Sequence, residues 1–244
     1  MRAAARDGRV KVSVIVPTFN EAPRIEAFLR RFDHQTLPRG DFELIVVDGG
    51  SDDGTRDIAA RFADAVTLQT SPGIGGARND GAGVARAPIV ATTDADCVVP
   101  RDWLERIAKH FEDPSVVAVC GPDGPIERTW KARIVFLFLR AVIRAAAARG
   151  LYTTGGTNSA FRTKTFREIG GYRPLPHSDD VEIAMRLRAK GRIVYDPRLD
   201  VRLSTRRMER DGYLRTLFTW LRGDLKVLTG QSLEDRPYAR QRYD

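Results

Sequence analysis

The chain alternates short apolar runs with stretches of helical period, and this alternation restricts the folds open to it. Residues 10–16 and 44–47 have the pattern of buried strands, and each is followed by a turn and an amphipathic segment. Strand, turn and helix in that order form βαβ units, which build a parallel sheet with helices on its faces. The sequence therefore predicts an α/β fold with a mostly parallel central sheet.

The remaining elements follow the same pattern. Residues 73–81 contain four glycines and predict a flexible loop that enters a helix of small residues. A loop and a strand are expected within 155–162. Further strands are predicted at 65–68, 116–121 and 192–195, and helices at 134–148, 165–169, 181–190 and 213–228.

An acidic pair closes the apolar run that begins at Ile89. Asp94 and Asp96 follow this run with one residue between them. Open α/β sheets bind ligands at the carboxyl ends of their strands, where two such carboxylates can hold one Mg²⁺ or Mn²⁺ and leave positions for phosphate oxygens. Asp-x-Asp is also an ordinary solvated turn, so the rest of the chain has to decide between the two interpretations.

Charge and cysteine content limit the partners and the compartment. The 244 residues carry a net charge of +8, which favours an anionic partner: a nucleotide, a lipid headgroup or nucleic acid. No nucleic-acid reader motif accompanies the charge, so no nucleic-acid partner is expected. Cys97 and Cys120 are far apart, which indicates two reduced, buried thiols and a cytoplasmic location. Residues 1–8 lack the apolar core of a signal peptide.

The apolar segment 134–148 carries arginines on one helical face. Such a helix can lie in a membrane interface, which would put the protein at the cytoplasmic face of the membrane as a peripheral contact. It can equally be a core helix with one solvated face, and this is the simpler expectation.

Several motifs in order resemble the family 2 glycosyltransferases, which are inverting nucleotide-sugar enzymes of the GT-A fold. The resemblance covers roughly residues 10–205 and implies a GT-A domain over 1–205, with 206–244 as a C-terminal helical extension packed on or beside it. The motifs are V-S-V-I-V-P-T-F-N-E, E-L-I-V-V-D-G-G-S-D-D-G-T, G-G-A-R-N-D-G, T-D-A-D, G-G-T-N-S-A-F-R and the acidic pair 179–180.

The resemblance implies a nucleotide pocket on the first two strand ends. Pro17, Thr18 and Glu21 match the positions that hold the base and the ribose. Asp48 matches the acidic residue that reads the base edge, and Gly50 lies in the turn beside it.

It also implies the groups that carry the chemistry. Asp94 and Asp96 match the metal-binding Asp-x-Asp, and Arg78 matches a basic residue near the nucleotide. Asp180 matches the general base, and Asp179 stands where the commoner residue is Glu. In this chemistry Mn²⁺ or Mg²⁺ neutralises the leaving diphosphate, and one carboxylate takes the proton of the acceptor.

Arg206 and Arg207 lie where processive relatives carry Gln-x-x-Arg-Trp, a motif that is absent from this sequence. Its absence favours transfer of a single sugar over polymer synthesis. Arg206 can meet the diphosphate or belong to a solvated basic turn, and both interpretations stay open.

The expected activity is transfer of a sugar from a UDP- or GDP-linked donor. The acceptor is a hydroxyl or phosphate on a sugar, a small molecule or a polyprenyl-phosphate or other lipid-linked compound. One alternative is a nucleotidyltransferase that makes the sugar nucleotide, although the Gly-rich loop and Lys usual in those enzymes are missing after the first strand. A non-catalytic relative that only binds the nucleotide sugar is another.

Overall fold

The computed structural model describes residues 10–127, 129–175 and 177–230. The strands are β1 (Val12–Thr18), β2 (Phe42–Asp48), β3 (Ala65–Leu68), β4 (Ile89–Thr92), β5 (Cys97–Val98), β6 (Val116–Cys120), β7 (Asp123–Pro125), β8 (Ser159–Arg162), β9 (Arg192–Tyr195) and β10 (Val201–Leu203). The helices are α1 (Ala22–Arg30), α2 (Thr55–Ala59), α3 (Gly73–Val84), α4 (Trp103–His110), α5 (Trp130–Ala147), α6 (Thr163–Glu168), α7 (Asp179–Arg188), α8 (Arg206–Asp211) and α9 (Tyr213–Leu228).

Seven strands form the central sheet in the order β3-β2-β1-β4-β8-β6-β9. The first four are parallel, β8 is antiparallel to both of its neighbours, and β9 is parallel to β6. A small second sheet has the order β5-β10-β7. This architecture confirms the predicted α/β class with a mostly parallel central sheet.

Hydrophobic cores lie on both faces of the sheet, which explains why its strands are apolar without alternation. On β1, Val14 and Val16 belong to one core and Ile15 to the other. Helices α1 and α4 cover the first face, and α3, α6 and α7 cover the second.

The prediction of a flexible loop over residues 73–81 is wrong, because α3 begins at Gly73 and includes the whole segment. Its glycines permit close packing: a Cβ on Gly81 would overlap Cγ2 of Ile15 on β1. The glycine-rich composition therefore indicates a helix pressed against the sheet, where side chains would not fit.

The expectation that the apolar segment 134–148 is a core helix is also wrong. On α5 only Ala132 and Phe136 are buried, whereas Trp130 is 69% and Leu137 71% exposed. The helix lies beside the small sheet, where Nε of Arg140 donates to the backbone oxygen of Asp123 at 2.6 Å. Helical period fixes which residues share a face, but not whether another element covers that face.

The C-terminal helix α9 packs on α7 and its preceding loop. Gly223 lies so close to His177 and Ser178 that a Cβ would overlap both side chains. The division at residue 205 stays a prediction, and residues 231–244 lie outside the described part of the chain. None of the helices in residues 10–127, 129–175 and 177–230 is long and apolar enough to cross a membrane.

Candidate active site

The parallel strands bring the predicted site residues to one edge of the sheet. Thr18 pairs with Asp48 across β1 and β2, and Ile15 pairs with Thr92 across β1 and β4. The residues that follow Thr92, including Asp94, therefore extend from the same edge. The tertiary structure thus joins motifs that are more than 70 residues apart in the sequence.

The Asp-x-Asp pair lies in an electrostatic environment suited to a cation. Nη2 of Arg78 donates to Oδ1 of Asp94 at 2.9 Å. Burial, followed by the charges of Asp94 and Glu21, raises the pKa of Asp96 to about 6. A cation beside Asp96 would lower this pKa again, because it stabilises the charged carboxylate. Within residues 10–127, 129–175 and 177–230, no cluster of three His, Cys, Asp or Glu side chains has the geometry of a metal site.

Arg78 is a buried residue of α3. Its guanidinium is 5.7 Å from the ring centroid of Tyr172, and a Cβ on Gly156 would overlap it. Burial disfavours the charged form, but the interactions with Asp94, Tyr172 and Asp179 together outweigh burial and raise the pKa of Arg78. The fixed positive charge is therefore supplied by a helix side chain packed under the glycine-rich loop 155–156.

The second acidic pair opens α7, and its two carboxylates have different surroundings. Oδ2 of Asp180 accepts a 2.5 Å hydrogen bond from Oγ1 of Thr153, while the Asp180 backbone oxygen accepts from Thr154. Burial, followed by the charge of Asp180, raises the pKa of Asp179 to about 6, and Arg78 opposes this rise. Thr153 orients Asp180, whereas Asp179 lies beside Gly75 of α3.

Asp48 is fully buried and binds its own turn. Its carboxylate accepts hydrogen bonds from the backbone amides of Gly50 and Ser51, both at 3.1 Å, and from Oγ of Ser51 at 2.5 Å. Gly50 has a φ of 91°, which favours glycine. In this structure Asp48 therefore shapes the turn beside the pocket, and its contact with a base stays a prediction.

The other nucleotide-side residues lie around β1 and its following turn. Pro17 and Thr18 end β1, and Oγ1 of Thr18 is buried with no hydrogen-bond partner among the described residues. Burial raises the pKa of Glu21, with Arg24 and Arg206 opposing the rise. The end of β1 and its following turn therefore hold one unused hydroxyl and one partly desolvated carboxylate.

Arg206 reaches the Asp-x-Asp pair from the far end of the chain. It begins α8, and its Nε donates to Oγ of Ser204 at 3.1 Å. Its charge lowers the pKa of both Glu21 and Asp96, which locates it near these carboxylates. Arg206 therefore lies beside these carboxylates, and its contact with a diphosphate stays a prediction; the side chain of Arg207 is outside the described part of the chain.

Two acidic residues near the site were missed by the sequence analysis. Oδ2 of Asp123 accepts from Oγ1 of Thr157 at 2.9 Å, while its Oδ1 is buried without a hydrogen-bond partner in the described structure. Burial raises the pKa of Asp123 to about 7, and Asp94 adds to the rise. Its position just after β6 is a signal that could have found it, by the same strand-end argument used for Asp94.

Asp224 of α9 is the second missed residue. Burial, then the charge of Asp180, raises its pKa to about 6, and a hydrogen bond with Ser178 opposes the rise. It belongs to a helix outside the recognised motifs, so no local pattern pointed to it.

Comparisons with known proteins show which sequences and folds the chain resembles. Residues 13–170 match the family described as glycosyl transferase family 2. The glycosyltransferase AglE of Haloferax volcanii is 40% identical over 116 residues, which are 45% of this chain and 38% of that protein. The pre-mycofactocin glycosyltransferase of Mycobacterium tuberculosis is 30% identical over 223 residues, covering 85% of this chain and 45% of its own length. The chain thus spans less than half the length of these two relatives.

A solved structure has a similar fold over nearly the whole chain. The mannosyltransferase PcManGT from Pyrobaculum calidifontis, in complex with GDP-Man and Mn²⁺, aligns with a TM-score of 0.73 and 28% identity. The alignment covers 94% of this chain and 67% of that one. Glucosyl-3-phosphoglycerate synthase from Mycobacterium tuberculosis, at 19% identity and a TM-score of 0.63 over 92% of this chain and 82% of its own, shares the fold.

Proposed function

The chain belongs to glycosyl transferase family 2, and from this premise we propose that it transfers one sugar from a nucleoside-diphosphate sugar to an acceptor hydroxyl or phosphate with inversion. The observation that carries the proposal is the convergence of Asp94, Asp96, Arg78 and Asp180 at the carboxyl edge of one parallel sheet. That edge is where this fold class binds ligands.

Asp94 and Asp96 are the residues that would hold the divalent cation. Their donor set fits a hard cation, because both are carboxylates and the pKa of Asp96 is raised by burial and by neighbouring negative charge. When bound, Mn²⁺ or Mg²⁺ supplies Lewis-acid neutralisation of the diphosphate. The Mn²⁺ in the PcManGT complex supports this assignment.

The chain's own cations act on the same leaving group. Arg206 lies within range of Asp96 and Glu21, so its guanidinium can meet a diphosphate oxygen. Arg78 is ion-paired with Asp94 and fixes the orientation of that carboxylate. These positive charges offset the negative charge that develops as the bond between sugar and phosphate breaks.

Asp180 is the group that removes the acceptor proton. Its Oδ2 is held by Thr153, which leaves Oδ1 to accept a proton from the attacking hydroxyl. Attack opposite the diphosphate inverts the anomeric centre in one displacement and needs no enzyme nucleophile. The configuration of the product, measured by NMR, tests this step.

Buried, free Cys97 and Cys120 support a reducing compartment, and hence the cytoplasmic location included in this proposal. The GDP-Man and UDP complexes of the structural neighbours favour use of a sugar nucleotide over its synthesis. This separates the proposal from a nucleotidyltransferase.

Thermal unfolding with UDP or GDP, each with and without Mn²⁺ or Mg²⁺, tests the proposal. At a hundredfold excess over the dissociation constant, the cognate nucleotide should stabilise the protein by about 2.7 kcal/mol. For a chain of this length that is a rise in Tm of roughly 5–10 °C. Asp96→Ala should lose the metal-dependent part of the shift.

Glu112→Ala is the matched control, because Glu112 is exposed and precedes β6 at the opposite edge of the sheet. It should keep the full nucleotide shift. If neither nucleotide stabilises the wild-type protein with either metal, or if Asp96→Ala responds like the wild type, the proposed donor site is wrong.

A further inference from the structure

Helix α9 is amphipathic, but its large apolar side chains face outward instead of toward the core. Its buried residues are Thr216 and Gly223, which are small. Its exposed apolar side chains recur at spacings of four, three, four and three residues and form one stripe, the α9 stripe. They are Leu214, Phe218, Leu221, Leu225 and Leu228, with exposed fractions of 41–81%.

Helix α5 repeats this arrangement. Its α5 stripe consists of Trp130, Ile134, Leu137, Phe138 and Val142, each at least 38% exposed. Exposed apolar surface of this extent marks an interaction site, since isolated apolar residues on a surface do not line up along a helix.

The charges beside the stripes are positive. Arg215 and Arg222 are exposed next to the α9 stripe, and Lys131, Arg133 and Arg144 next to the α5 stripe. The sequence of α5 contains no acidic residue, and the single acidic residue of α9, Asp224, is turned toward Ser178. An apolar stripe bordered by cations complements an anionic lipid surface.

A second copy of this chain fits the surface poorly. Apposed α9 stripes would bring Arg215 and Arg222 of both copies together, between two molecules that each carry a net charge of +8. Like charges across an interface disfavour association. The positive charge beside the stripes therefore favours docking on an anionic bilayer over self-association.

Both helices border the candidate active site. Asp224 on the inner side of α9 is close enough to Asp180 for the two charges to interact. On α5, Arg133 and Leu137 line a groove of about 580 Å³ together with Val98, which is two residues beyond Asp96. The helices that carry the stripes thus adjoin the candidate site, α9 through Asp224 on its inner side and α5 through this groove.

We propose that the α5 and α9 stripes dock this chain on the surface of an anionic phospholipid bilayer. This docking rests on the proposed function for its role in catalysis. It implies that the acceptor of the sugar is a lipid-linked compound. The apolar side chains enter the boundary between headgroups and acyl chains, and the flanking arginines meet lipid phosphates.

Flotation with vesicles of phosphatidylcholine, alone or mixed with phosphatidylglycerol, tests docking directly. Binding to the mixed vesicles should exceed binding to the neutral ones and weaken as salt rises. Equal binding to both compositions, or binding to neither, overturns the proposal. Because no nucleotide is present, failure here leaves the nucleotide-shift test of the proposed function independent.

Paired apolar variants locate the contact. Phe218→Ser with Leu225→Ser should weaken binding to the mixed vesicles by roughly tenfold or more, because two large apolar side chains are no longer available to move from water into the bilayer. Leu68→Ser with Val84→Ser is the control, as these residues are similarly exposed on β3 and α3. Equal losses in both pairs would contradict a specific docking surface.

Paired basic variants test the charge. Arg215→Gln with Arg222→Gln should weaken binding about thirtyfold, at about fivefold for each basic residue near the surface. Arg56→Gln with Arg61→Gln changes two exposed arginines elsewhere and should leave binding within about twofold. A loss that depends only on net charge would be equal in both pairs and would overturn the assignment to α9.

Tryptophan quenching by brominated phosphatidylcholine, mixed with phosphatidylglycerol, resolves the two helices. The three tryptophans are Trp103, which is fully buried, Trp130 on α5 and Trp220 on α9. Trp220→Phe reports quenching of Trp130, and Phe218→Trp in the Trp130→Phe, Trp220→Phe background reports quenching on the α9 stripe. Both should be quenched, whereas the Trp130→Phe, Trp220→Phe background itself, which retains only Trp103, should not. If either variant stays unquenched, docking through that helix is wrong.

Sedimentation velocity tests whether a second copy of the chain, instead of a bilayer, covers the α9 stripe. The wild-type protein should be monomeric without vesicles. A dimer that Phe218→Ser with Leu225→Ser dissociates would show that a second copy covers the stripe, and would overturn the bilayer assignment.

Discussion

The carboxyl group of Asp123 gives a sharp test of the electrostatics near the candidate site. Burial, with further contributions from Asp94 and Asp200, raises its pKa to about 7, against the hydrogen bond from Thr157 and the charge of Arg140. Between pH 4 and 7 the folded protein therefore binds more protons at Asp123 than the unfolded chain does. The stability of the wild-type protein should fall as pH rises through this range.

The magnitude follows from the two pKa values. A rise from 3.8 to about 7 corresponds to about 4 kcal/mol of destabilisation above pH 7, at about 1.36 kcal/mol for each pKa unit. About 2 kcal/mol of this develops between pH 5 and 7, because the folded carboxyl is already half ionised at pH 7. Asp123→Asn cannot ionise and keeps the shape of the side chain, so its stability relative to the wild type should rise by that amount across this interval and then level off.

Urea unfolding of both proteins from pH 5 to 8 measures the difference. Asp113→Asn is the control: hydrogen bonds from Ser115 lower the pKa of this exposed carboxyl, so its titration lies below the measured interval and its difference from the wild type should be flat. A difference between Asp123→Asn and the wild type that stays within about 0.5 kcal/mol from pH 5 to 8 would refute the reasoning.

Three further substitutions test the site and its support. Gly156→Ala should displace the Arg78 guanidinium and weaken metal-dependent nucleotide binding about tenfold, measured by calorimetry; unchanged affinity would contradict the packing. Asp180→Asn should lower kcat by roughly 10²–10⁴ while the nucleotide-induced Tm shift persists, and a loss of that shift would argue against its role as a base. Trp103→Phe removes the 3.0 Å hydrogen bond to Oδ1 of buried Asn158 and should cost about 1–3 kcal/mol in urea unfolding, with no measurable loss counting against it.

Much of the fold could be predicted from the sequence because it depends on local periodicity. Apolar runs located the strands of the central sheet, as at Val14 and Ile15, whose neighbours are apolar because the sheet is buried on both faces. The strand-end argument then located Asp94, since a parallel sheet aligns the carboxyl ends of its strands without further information. The order of the motifs along the chain indicated the family.

Other features depend on contacts between distant segments, and only the tertiary structure decided them. Gly81 of α3 packs so close to Ile15 that no side chain fits there, and Asp224 lies near Asp180 because α9 packs on α7. The outward apolar faces of α5 and α9 were undecidable from their sequences, because an amphipathic pattern is the same whether its apolar side meets a core or a surface. Periodicity fixes a face, whereas the packing of the whole chain fixes what that face meets.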